Sequence, residues 1–211
     1  MKKRLTYQIL PVLVISFLSS CDRIKDTEDY LRWLNNPENG LTKEKTVNGY
    51  HLKVKYLPPE YLTHLELNNK EHVTKRHRDS ILQTYQNAIT FVFMLEPDET
   101  RRFGEDIMMT GVNNYPDYSQ RVYTMNFLMK EYFTLTTGTT TRAPVLCSIE
   151  NTYGLKCGRN FLVVFAEEDL KPEENTGIYD FVFTDAFFFT GENHFLFRQQ
   201  DIDNRPAFPK I

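Results

Sequence analysis

Residues 50–56 alternate strictly between apolar and polar side chains, and no other segment constrains the fold of this chain as strongly. Successive side chains of a β-strand point to opposite faces, so a period of two residues predicts a strand with one buried face. The positions that we expect to face the core are Tyr50, Leu52, Val54 and Tyr56. The dipeptide Pro58-Pro59 then ends this strand.

Hydrophobic periodicity and turn chemistry predict the other elements. Apolar residues at helical spacing predict helices over residues 27–35, 69–88 and 117–130. Runs rich in aromatic and β-branched residues predict strands over residues 89–95, 132–135, 144–149, 160–166, 178–183, 187–190 and 194–198. The 16 Phe and 12 Tyr concentrate in these strand segments, which favours an aromatic β-rich core over a ligand-stacking surface.

The first 20 residues have the layout of an export signal. Met1-Lys2-Lys3-Arg4 carries three positive charges, and an apolar run from Ile9 to Leu18 follows. A helix needs about 20 apolar residues to span a bilayer, so this run is too short for a permanent membrane span.

The run ends in Leu18-Ser19-Ser20-Cys21, which resembles the lipobox of bacterial lipoproteins. The resemblance implies that the sulfur of Cys21 takes a diacylglyceryl group, that the chain is cut between Ser20 and Cys21, and that the new amino terminus is acylated. An ordinary secretory signal is the alternative, but the A-x-A-like cleavage site that it requires is missing. Two or three acyl chains make a stable anchor, whereas one binds only marginally.

Two further segments, Trp33–Leu41 and Lys55–Tyr61, resemble poorly characterised lipoproteins of Bacteroidetes. The resemblance covers about the first third of the mature chain and implies a location in the cell envelope, with no activity attached. Asp22 resembles an enterobacterial signal for retention in the inner membrane, but Bacteroidetes do not follow that rule. We therefore favour the outer membrane and leave open whether the protein faces the periplasm or the cell surface.

These elements predict an α+β fold, in which a mainly antiparallel sheet carries one or two amphipathic helices within a single domain. We expect a signal peptide over residues 1–20, a lipidated tether with a short helix over 21–44, and a globular domain over 45–211. The tail from Asp201 onward, which contains Pro206 and Pro209, is expected to be irregular.

The charge of the mature chain excludes one class of partner. The first 20 residues hold three of the 25 basic residues and none of the 28 acidic ones, so removing them changes the formal net charge from −3 to −6. A mildly acidic protein lacks the clustered Lys and Arg side chains that bind the phosphates of nucleic acids. We expect no nucleic-acid partner and attribute membrane attachment to the lipid on Cys21.

Cys147 and Cys157 remain beside Cys21. A predicted turn over residues 151–154 separates them, which would place them on neighbouring strands of a hairpin. Their Cα atoms could then come within the range of about 4.4–6.8 Å that a disulfide demands, whereas a bulge would turn the two thiols to opposite faces. The sequence leaves open a disulfide or two buried free thiols. A metal or redox role lacks a Cys-x-x-Cys motif and a nearby His.

The histidines do not suggest a metal site. His72 and His77 lie five positions apart, so they would not share a helix face as zinc ligands at i and i+4 do. The basic residues around them, from Lys70 to Arg78, are interrupted by Glu71 and fit a solvated helix face; the alternative is docking to acidic partners or lipid headgroups.

The hydroxyl-rich segment over residues 136–142 is the most unusual local composition. It fits a surface hairpin loop, with contact to a glycan or phosphate as the alternative. It lacks the Lys of a P-loop and a following helix. No G-x-S-x-G elbow and no Cys with a placed His occurs either, so we assign no catalytic residue, no metal and no cofactor.

We interpret the mature protein as a lipid-anchored envelope protein with a non-catalytic binding or assembly module, whose partner is an envelope protein or a polysaccharide. The alternative is an envelope hydrolase that acts on glycan or peptidoglycan through a site that the sequence does not reveal. The first interpretation predicts a broad groove or sheet edge, and the second a buried pocket with convergent carboxylates.

Overall fold

The computed structural model describes residues 24–68, 70–99, 106–151, 156–166 and 177–209, and within them nine strands form two antiparallel sheets. The first sheet has the order β1 (Thr42–Val47), β2 (Tyr50–Tyr56), β3 (Ala88–Pro97), β7 (Arg159–Ala166) and β6 (Leu146–Ile149). The second has the order β5 (Thr140–Arg142), β4 (Phe133–Thr137), β8 (Ile178–Thr184) and β9 (Glu192–Arg198).

The two sheets pack face to face through phenylalanine rings. The ring centroid of Phe93 on β3 lies 4.5 Å from that of Phe183 and 5.1 Å from that of Phe133, both on the second sheet. Phe91 lies 5.1 Å from Phe181. These separations are in the range that aromatic pairs prefer. The molecule is therefore a sandwich with an aromatic core between its sheets.

The alternation over residues 50–56 is confirmed. All four apolar side chains of β2 are buried, and the polar side chains between them are half-buried on the opposite face. A two-residue turn joins β1 to β2, with φ of 50° at Asn48 and 77° at Gly49. Positive φ at both central residues is the geometry of a type I′ turn, whose twist matches that of the flanking strands.

The first helix, α1 (Thr27–Asn35), has the predicted bounds. It begins after Asp26, whose carboxylate accepts a hydrogen bond from Asp29 N at 2.8 Å. Its Tyr30 and Leu34 are fully buried in the core. Since β1 also begins at Thr42, the globular domain starts well before the expected residue 45.

Two helices lie between β2 and β3, where one was expected over residues 69–88. The first, α2 (Pro59–Leu67), begins at the proline that we expected only to end β2, since proline suits the first position of a helix. The second, α3 (Lys75–Gln86), begins after Thr74, whose hydroxyl accepts from His77 N at 3.3 Å. The positive φ of 61° at His72 breaks the helical path before it.

The predicted amphipathic helix over residues 117–130 is divided. It consists of α4 (Tyr115–Tyr123), one π-helical turn (Thr124–Leu128) and one 3₁₀ turn (Met129–Tyr132). Met125 and Met129 point into the core. The segment ends at Tyr132, directly before the first residue of β4.

One expectation for the C-terminal part is wrong, and a second holds in part. The predicted strand over residues 187–190 is a loop, because the carboxylate of Asp185 binds its backbone N–H groups. The tail is irregular over residues 204–209, as expected, but residues 201–203 belong to α5 (Gln199–Asp203), which continues directly from β9. Residues after it pack on the domain, with the ring of Phe208 lying 4.9 Å from that of Tyr30.

Strand directions define two ends of the sandwich. At the N-terminal end lie α1, α2, α3 and α5, together with the first residues of β1 and β3. At the distal end lie the Asn48–Gly49 turn, α4 and the loop from Asp185 to Gly191. Asn48 Nδ2 donates to Phe188 O at 2.8 Å and joins the turns of the two sheets there.

The fold is thus a single-domain α+β fold with antiparallel sheets, as predicted. The division of the strands between two sheets was not predicted.

Replacing Phe93 by alanine should lower the free energy of unfolding by about 3–5 kcal/mol, because it empties the centre of the aromatic core. Phe127→Ala is the matched control: that ring is 67% exposed, and its loss should change stability by less than about 0.5 kcal/mol. Urea titrations of both variants measure the difference. A loss below about 1 kcal/mol for Phe93→Ala would contradict this view of the core.

Candidate binding surface at the distal end

The loop between β8 and β9 is built around one carboxylate. Oδ1 of Asp185 accepts from Phe187 N at 2.8 Å, and Oδ2 accepts from Phe188 N at 2.9 Å and from Thr190 N at 2.8 Å. The Thr190 hydroxyl donates to the same Oδ2 at 3.1 Å. Hydrogen bonds to an ionised acceptor are stronger than neutral ones, so this carboxylate fixes the shape of the loop.

This loop holds Phe189 in an unusual conformation. Its φ is 57°, in the left-handed region, and its side chain is 92% exposed. For a residue with a Cβ this conformation costs roughly 1–2 kcal/mol, and a bulky residue there is an outlier. No packing of the Phe189 ring offsets the cost of this conformation, since the ring points into solvent. Strained backbone of this kind concentrates at functional sites.

Arg121 of α4 supports the loop from beneath. Its guanidinium carbon lies 5.2 Å from the ring centroids of both Phe187 and Phe188, within range of cation–π attraction. Its Nη1 donates to Ile107 O at 2.9 Å and also to Thr110 O. The buried Arg121 therefore ties α4, the residues before it and the Asp185 loop into one unit.

The helical segment from α4 through the π-helical turn adds further exposed apolar side chains. Phe127 projects from the π-helical turn, and such turns are often found at functional sites. We define the aromatic surface as the exposed side chains of the unit that Arg121 holds together, Phe189, Met109, Tyr115, Tyr118 and Tyr123, with Phe127, whose ring lies 5.4 Å from that of Tyr123. A cleft of about 300 Å³ beside Met109, Tyr115 and Tyr118 indents it. Exposed aromatic and Met side chains at one end of a molecule are typical of a protein-binding site.

The residues that the sequence suggested as sites lie elsewhere. Cys21 and the predicted signal peptide over residues 1–20 fall outside the described residues. Cys147 and Cys157 are free thiols. Cys147 pairs with Val163 on β7, and Val163 lies six positions after Cys157 in the chain. Six extended residues span about 20 Å, so no disulfide forms between the two cysteines. Burial raises the pKa of the Cys147 thiol to about 12, which keeps it protonated and unreactive.

The histidines are dispersed. Among the described residues, no three His, Cys, Asp or Glu side chains group as metal ligands would. His194 on β9 has the most developed environment: Nδ1 lies 2.8 Å from Asp180 Oδ2 and Nε2 lies 3.0 Å from Glu192 Oε1. Hydrogen bonds to Asp180 and then Glu192 raise its pKa. Because both ring nitrogens are engaged, neither is free to take a proton from a nucleophile.

The threonine-rich segment is a tight hairpin rather than an open loop. Gly138, at φ 59°, makes the turn between β4 and β5, and the hydroxyl oxygens of Thr136 and Thr141 lie 2.9 Å apart. The two hydroxyls thus satisfy each other across the strands, which favours the structural interpretation over glycan binding.

Sequence reasoning missed Asp185, Phe189 and Arg121. The run from Phe187 to Phe189 looks like a strand, because nothing local shows that Asp185 captures the backbone N–H groups. The one available signal was the position of Asp185 two residues before the phenylalanines, where an Asp side chain can close a turn on its own backbone.

Comparisons of the chain with protein-family models, with curated proteins and with solved structures give no match. Of the helices that the structure describes, none is long and apolar enough to cross a membrane. The aromatic surface is therefore identified from its own geometry alone.

Proposed function

We propose that this chain is a lipid-anchored cell-envelope protein whose distal end binds another envelope protein without catalysing a reaction. The observation that carries the proposal is Phe189, whose ring is almost fully exposed and whose backbone is strained. The hydrogen bonds of Asp185 within the loop maintain this conformation. Glycine or asparagine would relieve the strain, and a polar side chain would suit the solvent. A contact in a complex accounts for a phenylalanine at this position.

The chemistry of the aromatic surface favours a protein partner over a polysaccharide. Of the six side chains of this surface, Met109, Phe127 and Phe189 offer no polar group for sugar hydroxyls, and the three tyrosines carry one hydroxyl each. Arg121, the nearby cation, is buried and donates to backbone carbonyls of its own chain. Exposed aromatic and Met side chains are enriched at protein interfaces, where a few of them supply most of the binding energy.

The proposed anchor gives this surface a direction. Ile24 already packs against the core, so the three residue steps from Cys21 to Ile24 span at most about 10 Å. The lipid on Cys21 would hold the N-terminal end close to the membrane. The ten residues of β3 separate the two ends by about 30 Å, so the aromatic surface would face away from the bilayer.

Cys21→Ala should abolish the incorporation of radiolabelled fatty acid into the protein and release it from the membrane fraction, because only the thiol of Cys21 can form the thioether. Cys157→Ala is the control and should keep both the label and the membrane location. Labelling of the Cys21→Ala variant, or its retention in membranes, would contradict the anchor.

Phe189→Ala and Phe189→Gly should both weaken partner binding at least tenfold, in line with the loss of a central aromatic contact. In cells, a photoreactive phenylalanine analogue at position 123 should yield one crosslinked protein of defined mass, and either substitution at 189 should remove it. Leu196→Ala, a change at an exposed apolar residue on β9, is the control and should leave it.

The same two variants separate function from folding. Phe189→Gly should raise the free energy of unfolding by up to about 1 kcal/mol, since glycine accepts positive φ, whereas Phe189→Ala keeps the strain and should not. A crosslink that persists in both variants would refute the proposed surface. Binding of the unmodified protein to a carbohydrate array, lost in Phe189→Ala, would replace the protein partner by a polysaccharide.

A further inference from the structure

A groove of about 640 Å³ lies at the N-terminal end, about one sandwich length from the aromatic surface. Its walls are α2, α3 with the residues before it, and the chain from Asp203, the last residue of α5, to Pro209. Small-molecule sites occupy roughly 300–1,000 Å³ and are lined mainly by apolar side chains with a few polar groups that fix orientation. This groove exposes more apolar than polar surface, and its apolar walls are formed by Leu67, Val73, Leu82, Pro206, Phe208 and Pro209.

Most of the charges in the groove are already paired. Nη2 of Arg205 donates to both carboxylate oxygens of Glu60, at 2.8 and 3.1 Å, so these two groups neutralise each other. Lys70 Nζ lies 3.0 Å from Glu66 Oε1. Arg78 on α3 differs: its guanidinium is exposed and has no ion pair or hydrogen bond with any residue that the structure describes.

A histidine adds a polar group to the α2 wall. The ring of His64 packs 5.1 Å from that of Phe208, and its Nδ1 is buried without a hydrogen-bond partner among the described residues. Asp203 is the carboxylate of the lining that has no ion pair or hydrogen bond with the part of the chain that the structure describes, and it belongs to α5, on a different wall from Arg78.

We propose that this groove binds a single-chain anionic amphiphile, with its alkyl chain along Leu67, Val73 and Leu82 and its carboxylate or phosphate head at Arg78. The apolar walls disfavour a purely polar ligand, since burying its groups against them without hydrogen bonds is costly. Arg78 lies four positions before Leu82 on α3, so its unpaired guanidinium shares a helix face with the apolar wall and selects an anionic head there, whereas Asp203 lies on α5. The planar guanidinium suits carboxylate and phosphate alike. This site is independent of the aromatic surface, so either assignment stands or fails without the other.

The test uses the full-length protein as the cell makes it, purified and held in phosphatidylcholine nanodiscs. A decanoate analogue that carries a photoreactive diazirine is added, and labelled peptides are identified by mass spectrometry. We expect label on peptides from α3 and from residues 205–209. Unlabelled decanoate and decyl phosphate should compete, and the stronger of the two identifies the preferred head group. Decyltrimethylammonium, with the same chain and the opposite charge, should not compete.

Three variants locate the interaction. Arg78→Gln should reduce labelling by up to about fivefold, the effect of one exposed charge pair. Asp203→Asn, the matched control of opposite charge, should leave labelling equal or higher. Ala207→Trp places a large ring in the groove from an exposed position and should block labelling while the unfolding temperature stays unchanged. Label confined to other peptides, unchanged labelling of Arg78→Gln, or equal competition by decyltrimethylammonium would overturn the proposal.

Discussion

The face-to-face contact of phenylalanine rings between the two sheets is the interaction on which the rest of this structure depends. Phe93 contacts rings from β4 and β8, and Phe91 contacts rings from β8 and β9, so the single strand β3 of one sheet contacts three strands of the other. Each buried ring removes a large apolar area from water, and the tilted ring pairs add to that stabilisation. With the sheets fixed in this way, the turns and helices at the two ends are held at a fixed separation.

The two ends of the sandwich present different kinds of side chain. At the distal end, the carboxylate of Asp185 and the guanidinium of Arg121 hold a strained loop that presents Phe189 to solvent. At the N-terminal end, α2, α3 and the C-terminal segment enclose a groove in which Arg78 is the unpaired cation among the described residues. Natural proteins depart from the most stable local choice mainly where function requires it, and Phe189 is the clearest departure here.

The sequence predicted the local elements better than their assembly. The alternation over residues 50–56 predicted β2 correctly, because one face of that strand is buried. The helical spacing of the apolar residues over residues 27–35 predicted α1 correctly. The pairing of β3 with β7 joins residues about 70 positions apart, and periodicity carries no information on such pairing. The binding surface was missed because its origin is tertiary: Asp185 overrides the strand propensity of the phenylalanines that follow it.

The central claim is that the lipid on Cys21 holds the N-terminal end of the sandwich at the membrane and that the aromatic surface faces away from the membrane. Energy transfer from a fluorophore on the protein to an acceptor in the lipid measures this directly, in vesicles that hold the lipidated chain. A fluorophore at position 76 of α3 should transfer efficiently, whereas one at position 189, about 30 Å farther along the sandwich, should transfer weakly. Equal transfer from the two positions, or stronger transfer from position 189, would contradict the account.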